Sequence, residues 1–121
     1  MPVVLALIDD LLFLSRVREA AKGSGAEVKT VRSADALLEG CRASPGALVV
    51  ADLDSPRLQA VEAVKALRAD GTLASIPVVG FLSHVQAGLA RDAREAGVTR
   101  VLARSAFVQE LPELIARGGA G

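Results

Sequence analysis

Short runs of branched apolar residues alternate along the chain with longer stretches in which apolar residues recur every three or four positions. Val3 to Ile8, Ala47 to Ala51, Ile76 to Leu82 and Arg100 to Ala103 are the compact runs. Continuous apolar runs of this length read as strands covered on both faces. Glu27-Val28-Lys29-Thr30-Val31 instead alternates and carries charge, as an edge strand does. Helical spacing joins Leu14, Val17 and Ala21, and then Leu58, Val61, Val64 and Leu67, with Glu62, Lys65 and Arg68 on the opposite side. Val85, Leu89 and Ala96, and finally Val108, Leu111 and Ile115, repeat the pattern. Ser33 with Asp35 opens the second helix and Gly40 weakens its end. Gly71 and Gly97 end the third and fourth, and Gly23-Ser24-Gly25 is a helix stop. Pro77 stands at the first positions of a strand, where a missing N–H is tolerated.

Five strands alternating with five helices predict an α/β doubly wound sandwich, because each parallel connection needs a crossover. If the order is 2-1-3-4-5, two helices lie on one face and three on the other. The expected domain covers residues 1–117, and 118–121, rich in glycine, is a tail or linker stub.

A chain of 121 residues supports one core, and 51% hydrophobic with 23% charged residues is globular composition. Lys and Arg number 14, as do Asp and Glu. This balance gives no broad electrostatic argument for nucleic acid or an anionic membrane. The opening apolar run is too short for a membrane span and has no basic leader, so the expected location is cytoplasmic. Cys41 is the only cysteine, which excludes an internal disulfide, and reads as a small core residue.

In such sheets ligands bind beyond the carboxyl ends of the strands, where the winding reverses. The first strand ends in Asp9-Asp10 and the third in Asp52, with Asp54 two residues on. If those strands are neighbours, the carboxylates converge. Their repulsion then raises a pKa or draws in a cation, and an all-oxygen donor set suits Mg²⁺. The plain alternative for Asp9 and Asp10 is a polar turn closing a strand.

Ala6-Leu7-Ile8-Asp9-Asp10 and Val49-Val50-Ala51-Asp52-Leu53-Asp54-Ser55-Pro56 resemble the receiver domains of bacterial two-component response regulators, over nearly the whole chain. The resemblance implies a flavodoxin-like fold of strand order 2-1-3-4-5, Mg²⁺ held by Asp9, Asp10, Asp52 and the Asp54 backbone carbonyl, and Asp52 as acceptor of a phosphoryl group. It also implies a histidine kinase or phosphotransfer protein as donor, a downstream protein target, and no enzyme activity beyond self-phosphorylation and slow autodephosphorylation. Three positions depart from the pattern. Leu82 stands where the family has the Thr or Ser that bonds the phosphoryl group, leaving Ser83 as a candidate contact. Arg104-Ser105 replaces the usual Lys-Pro, and Arg104 is the remaining cationic candidate. Val101 stands near the position of the family's aromatic switch. The same departures suit a pseudo-receiver, an interaction module that works without phosphorylation.

Asp52-Leu53-Asp54 also looks like the nucleophile motif of haloacid-dehalogenase-type phosphatases, but it lies mid-chain in a domain about half the needed length. His84 reads as a loop or cap residue beside the site. In receivers the face of the fourth helix, fifth strand and fifth helix is the usual docking or homodimer surface. The candidates on it here are Val85, Leu89, Val101 and Phe107, with Gln86 and Arg104 beside them.

Overall fold

The computed structural model describes residues 2–83 and 86–118. Five strands, β1 (Val3–Leu7), β2 (Glu27–Thr30), β3 (Leu48–Asp52), β4 (Val78–Leu82) and β5 (Arg100–Ala103), alternate with five helices. The helices are α1 (Leu11–Gly23), α2 (Ala34–Ala43), α3 (Ala60–Ala69), α4 (Ala87–Ala96) and α5 (Arg104–Ala116). All strand pairs are parallel in the order β2-β1-β3-β4-β5. The fold is the expected doubly wound α/β sandwich, with charged, half-exposed β2 at one edge.

Strand alternation divides the core in two. Leu5, Leu7, Val49, Ala51, Val78 and Leu82 face α2, α3 and α4. Val4, Ala6, Ile8, Leu48, Val50, Val79 and Phe81 face α1 and α5. On the second side the chain's three phenylalanines form one column: Phe81 stacks on Phe13 with centroids 4.8 Å apart and on Phe107 at 4.4 Å. Phe107 is 0% exposed. Its expected place on the docking face is therefore corrected: the helix turns the ring onto the sheet. Leu89 and Val101 are half-buried and pack against the α2–α3–α4 side of the core. Val85 and His84 lie outside the described residues, as do residues 119–121 of the expected tail.

The stop signals act as expected at two helices. Ala26 N–H donates to Ala21 O across Gly25, whose φ is 70°, and Val98 N–H donates to Ala93 O across Gly97, whose φ is 110°. Ser33 Oγ accepts from Ala36 N and caps α2. Gly40, by contrast, lies inside α2 and does not end it. A Cβ there would meet Leu5 Cδ2 at 3.1 Å, so the glycine serves close helix–sheet packing. Gly80, in the middle of β4, is more constrained: a Cβ would meet Leu53 Cδ1 at 2.7 Å. Among the described residues no helix is long and apolar enough to cross a membrane.

Arg68, expected on the solvent side of α3, reaches over the lower end of the sheet. Its guanidinium donates to Gly97 O (2.9 Å), Ala74 O (2.8 Å), Ile76 O (2.7 Å) and Thr99 Oγ1 (3.4 Å). Cys41 is fully buried in the core, where burial pushes its thiol pKa up and the charge of Arg68 opposes the shift.

Candidate functional site

The parallel register brings the carboxyl ends of β1 and β3 side by side, with Leu7 opposite Ala51. The residues that follow therefore meet at one edge. Asp9, Asp10, Asp52, Asp54, Ser55, Pro56, Arg57 and Arg104 line a pocket of about 220 Å³. Four carboxylates face two guanidinium groups there, an excess of two negative charges.

Asp52 is the last residue of the central strand and is 3% exposed. Its Oδ1 accepts from Asp54 N at 3.0 Å and lies 4.0 Å from Arg104 Nη2. Burial raises the Asp52 pKa above the usual carboxylate value, and the charges of Asp54 and Asp9 push the same way. The Asp54 amide and Arg104 oppose them. Asp10 also serves the fold: as N-cap of α1, its Oδ1 accepts from Leu12 N (2.8 Å) and Phe13 N (3.3 Å). Asp9 Oδ2 accepts from Ser55 Oγ at 3.2 Å.

The hydrogen bonds leave Asp9 Oδ1, Asp10 Oδ2 and Asp52 Oδ2 without a protein donor among the described residues. Oxygen donors in a negatively charged pocket fit a hard divalent cation. As they stand, no three acidic, His or Cys side chains among the described residues are drawn close enough to form a closed ligand set.

The other side of the pocket is organised around the Asp54 carboxylate, for which the sequence offered only the second position of the phosphatase-like motif. Its Oδ2 accepts from Ser83 N (2.8 Å) and Ser83 Oγ (3.1 Å) and lies 3.5 Å from Arg104 Nη2. Its Oδ1 accepts from Gln86 Nε2. Ser83, expected to point at the acceptor, is thus engaged by Asp54. Leu82 ends β4 with its side chain buried in the core and offers no donor. Arg104 is the first residue of α5, where the helix dipole disfavours a cation. The carboxylates of Asp54 and Asp52 offset this, and the guanidinium lies 5.2 Å from the Phe13 ring centroid. Its Nε is buried without an acceptor among the described residues. Sequence reasoning placed Gln86 only on the docking face and missed its bond to Asp54, because a glutamine before a helix carries no distinctive spacing.

No family model matches the chain. It is 26% identical over 117 residues to the sensor protein GacS of Pseudomonas syringae pv. syringae, covering 94% of this chain and 13% of that protein. The chemotaxis response regulator CheY4 of Vibrio cholerae superposes with a TM-score of 0.80 at 20% identity, covering 98% of both chains. The receiver domain of the sensor histidine kinase PA1611 of Pseudomonas aeruginosa PAO1, with magnesium in its active-site cleft, gives 0.79 at 17%, again over 98% of both chains. The phosphorylated cyanobacterial phytochrome response regulator RcpA gives 0.74 at 24%, over 95% of this chain and 89% of that one. The chain has the receiver-domain fold of two-component response regulators. No described peptide bond is cis, including those before Arg104 and Ser105.

Proposed function

We propose that the chain is a receiver-type signalling module in which Asp52 accepts a phosphoryl group from the phosphohistidine of a kinase or phosphotransfer protein. The observation that carries this reading is the buried Asp52, set at the end of the central strand on the floor of a pocket lined by three further carboxylates. Asp52 Oδ2 is the oxygen free to attack phosphorus, since Oδ1 is held by the Asp54 amide. Asp9, Asp10, Asp52 and the Asp54 carbonyl would hold Mg²⁺, which when bound neutralises charge on the phosphoryl oxygens. Among the described residues Arg104 is the cation nearest Asp52 and stands ready to pair with an anion there. The signal passes by docking onto another protein, with Leu89 and Val101 on the docking face, and no turnover of a substrate is required. A homodimer through that face and a cytoplasmic setting belong to the same reading.

One observation favours a second reading, a pseudo-receiver that docks in a single conformation. Ser83, Gln86 and part of Arg104 are already engaged by Asp54, and Leu82 contributes no hydroxyl. The phosphatase reading is disfavoured, because Asp54 would need a free carboxyl to act as acid and base.

Incubation with acetyl phosphate and Mg²⁺, followed by intact-mass measurement, separates these readings. A phosphoryl adduct on the wild type, absent in Asp52→Asn and after chelation, is the expected result. No adduct, and no spectral change with beryllofluoride, leaves the pseudo-receiver. Sustained hydrolysis of phosphate esters would revive the enzyme.

A further inference from the structure

The donors at the β4 end of the pocket converge on Asp54 and not on Asp52. Ser83 contributes both its amide and its hydroxyl, Gln86 its side-chain amide and Arg104 one guanidinium nitrogen. These groups come from the end of β4, the residue preceding α4 and the first residue of α5. Both Asp54 oxygens are occupied, whereas Asp52 has one backbone donor and Arg104 at 4.0 Å. The placement of two partners is otherwise unexplained. Gln86 is the N-cap residue of α4 yet makes no side-chain cap, and Arg104 sits where a helix N-terminus repels a cation.

We propose that Asp54 is a positioning residue whose carboxylate holds Ser83, Gln86 and Arg104 as an internal substitute for a bound anion, fixing the start of α4 against β3 with no ligand present. The pinning does not depend on chemistry at Asp52. Its regulatory consequence rests on the receiver reading: an anion on Asp52 recruits Arg104 and Ser83 only by taking them from Asp54, so Asp54 sets how strongly α4 responds.

Amide hydrogen exchange, resolved by NMR on the whole chain, tests the pinning. Hydrogen bonds to a charged acceptor are the stronger ones, so Asp54→Ala should speed exchange of the Ser83 amide, and of Ala90 in the first turn of α4, by about ten-fold or more. Leu5 and Val17 amides should keep their wild-type rates, which distinguishes local release from general destabilisation. Asp54→Asn, which retains an acceptor oxygen without the charge, should restore part of the protection, and Asp52→Asn should leave it intact. A Ser83 rate in Asp54→Ala within about two-fold of the wild type overturns the proposal. If Asp54→Ala does not fold, Gln86→Ala carries the same expectation and the same overturning result at Ala90. The two readings fail separately. Faster Ser83 exchange with no acetyl-phosphate adduct in any variant preserves the pinning and removes the receiver reading; an adduct with unchanged exchange does the reverse.

Discussion

Asp52 is buried at a strand end, its carboxylate accepts one backbone hydrogen bond among the described residues, and burial raises its pKa in the folded chain. A carboxyl raised in this way favours folding below its unfolded pKa and disfavours it as pH rises through the folded value. In metal-free buffer at pH 7, Asp52→Asn should therefore raise the urea midpoint. The difference should shrink as pH falls through the unfolded carboxylate range near ~3.9, where both side chains are neutral. Equal midpoints at pH 7 would contradict the assigned cost of the buried charge. Sequence alone made Asp52, Asp9 and Asp10 legible, since strand ends of a parallel sheet carry such chemistry and three acids there are conspicuous. It did not reveal what Asp54 does, because Ser83 and Gln86 approach from a different element, and no local pattern encodes that approach. Asp10 shows the converse: the metal candidate and the turn residue are one side chain, with one oxygen capping α1 and the other without a donor among the described residues.

At the level of elements, periodicity located four of the five helices, because each buries one stripe on a sheet hidden on both faces, and the start signal at Ser33 and Asp35 located the second. It misjudged residues whose part is set by a neighbouring element. Gly40 looks like a helix breaker in sequence, yet it lies within α2 where Leu5 approaches. Arg68 falls on the polar side of its helical wheel, yet its head binds carbonyls at the end of α4 and ahead of β4. Removing it leaves those acceptors partly desolvated and unpaired. Arg68→Met should cost about 2–4 kcal/mol in chemical denaturation, well above a typical surface substitution. A loss under about 0.5 kcal/mol would reduce these contacts to incidental ones.

For the molecule as a whole, parallel pairing and right-handed crossovers leave few ways to arrange five βα units, and the resemblance of the Asp9-Asp10 and Asp52 segments to receivers selected among them the order found here. Structures only 17% and 20% identical to this chain share its architecture over 98% of its length. Residue identities can therefore differ at most positions while the frame persists, and function has to be argued from the pocket. The frame gathers four carboxylates and Arg104 on one rim whatever their later use. Which side chains on that rim bond to one another depends on a few residues, and at Leu82, Ser83 and Arg104 this chain has its own selection.

Gly80 bears on how substitution data for this chain would read. It has no side chain and touches no reactive atom, yet Leu53, the residue after Asp52, occupies the space its Cβ would need. Even Gly80→Ala must push the Leu53 side chain aside, an overpacking cost of about 1–3 kcal/mol, and that side chain belongs to the residue between Asp52 and Asp54. A saturation library selected for activity would thus rank Gly80 with the aspartates, although its only contribution is to leave room.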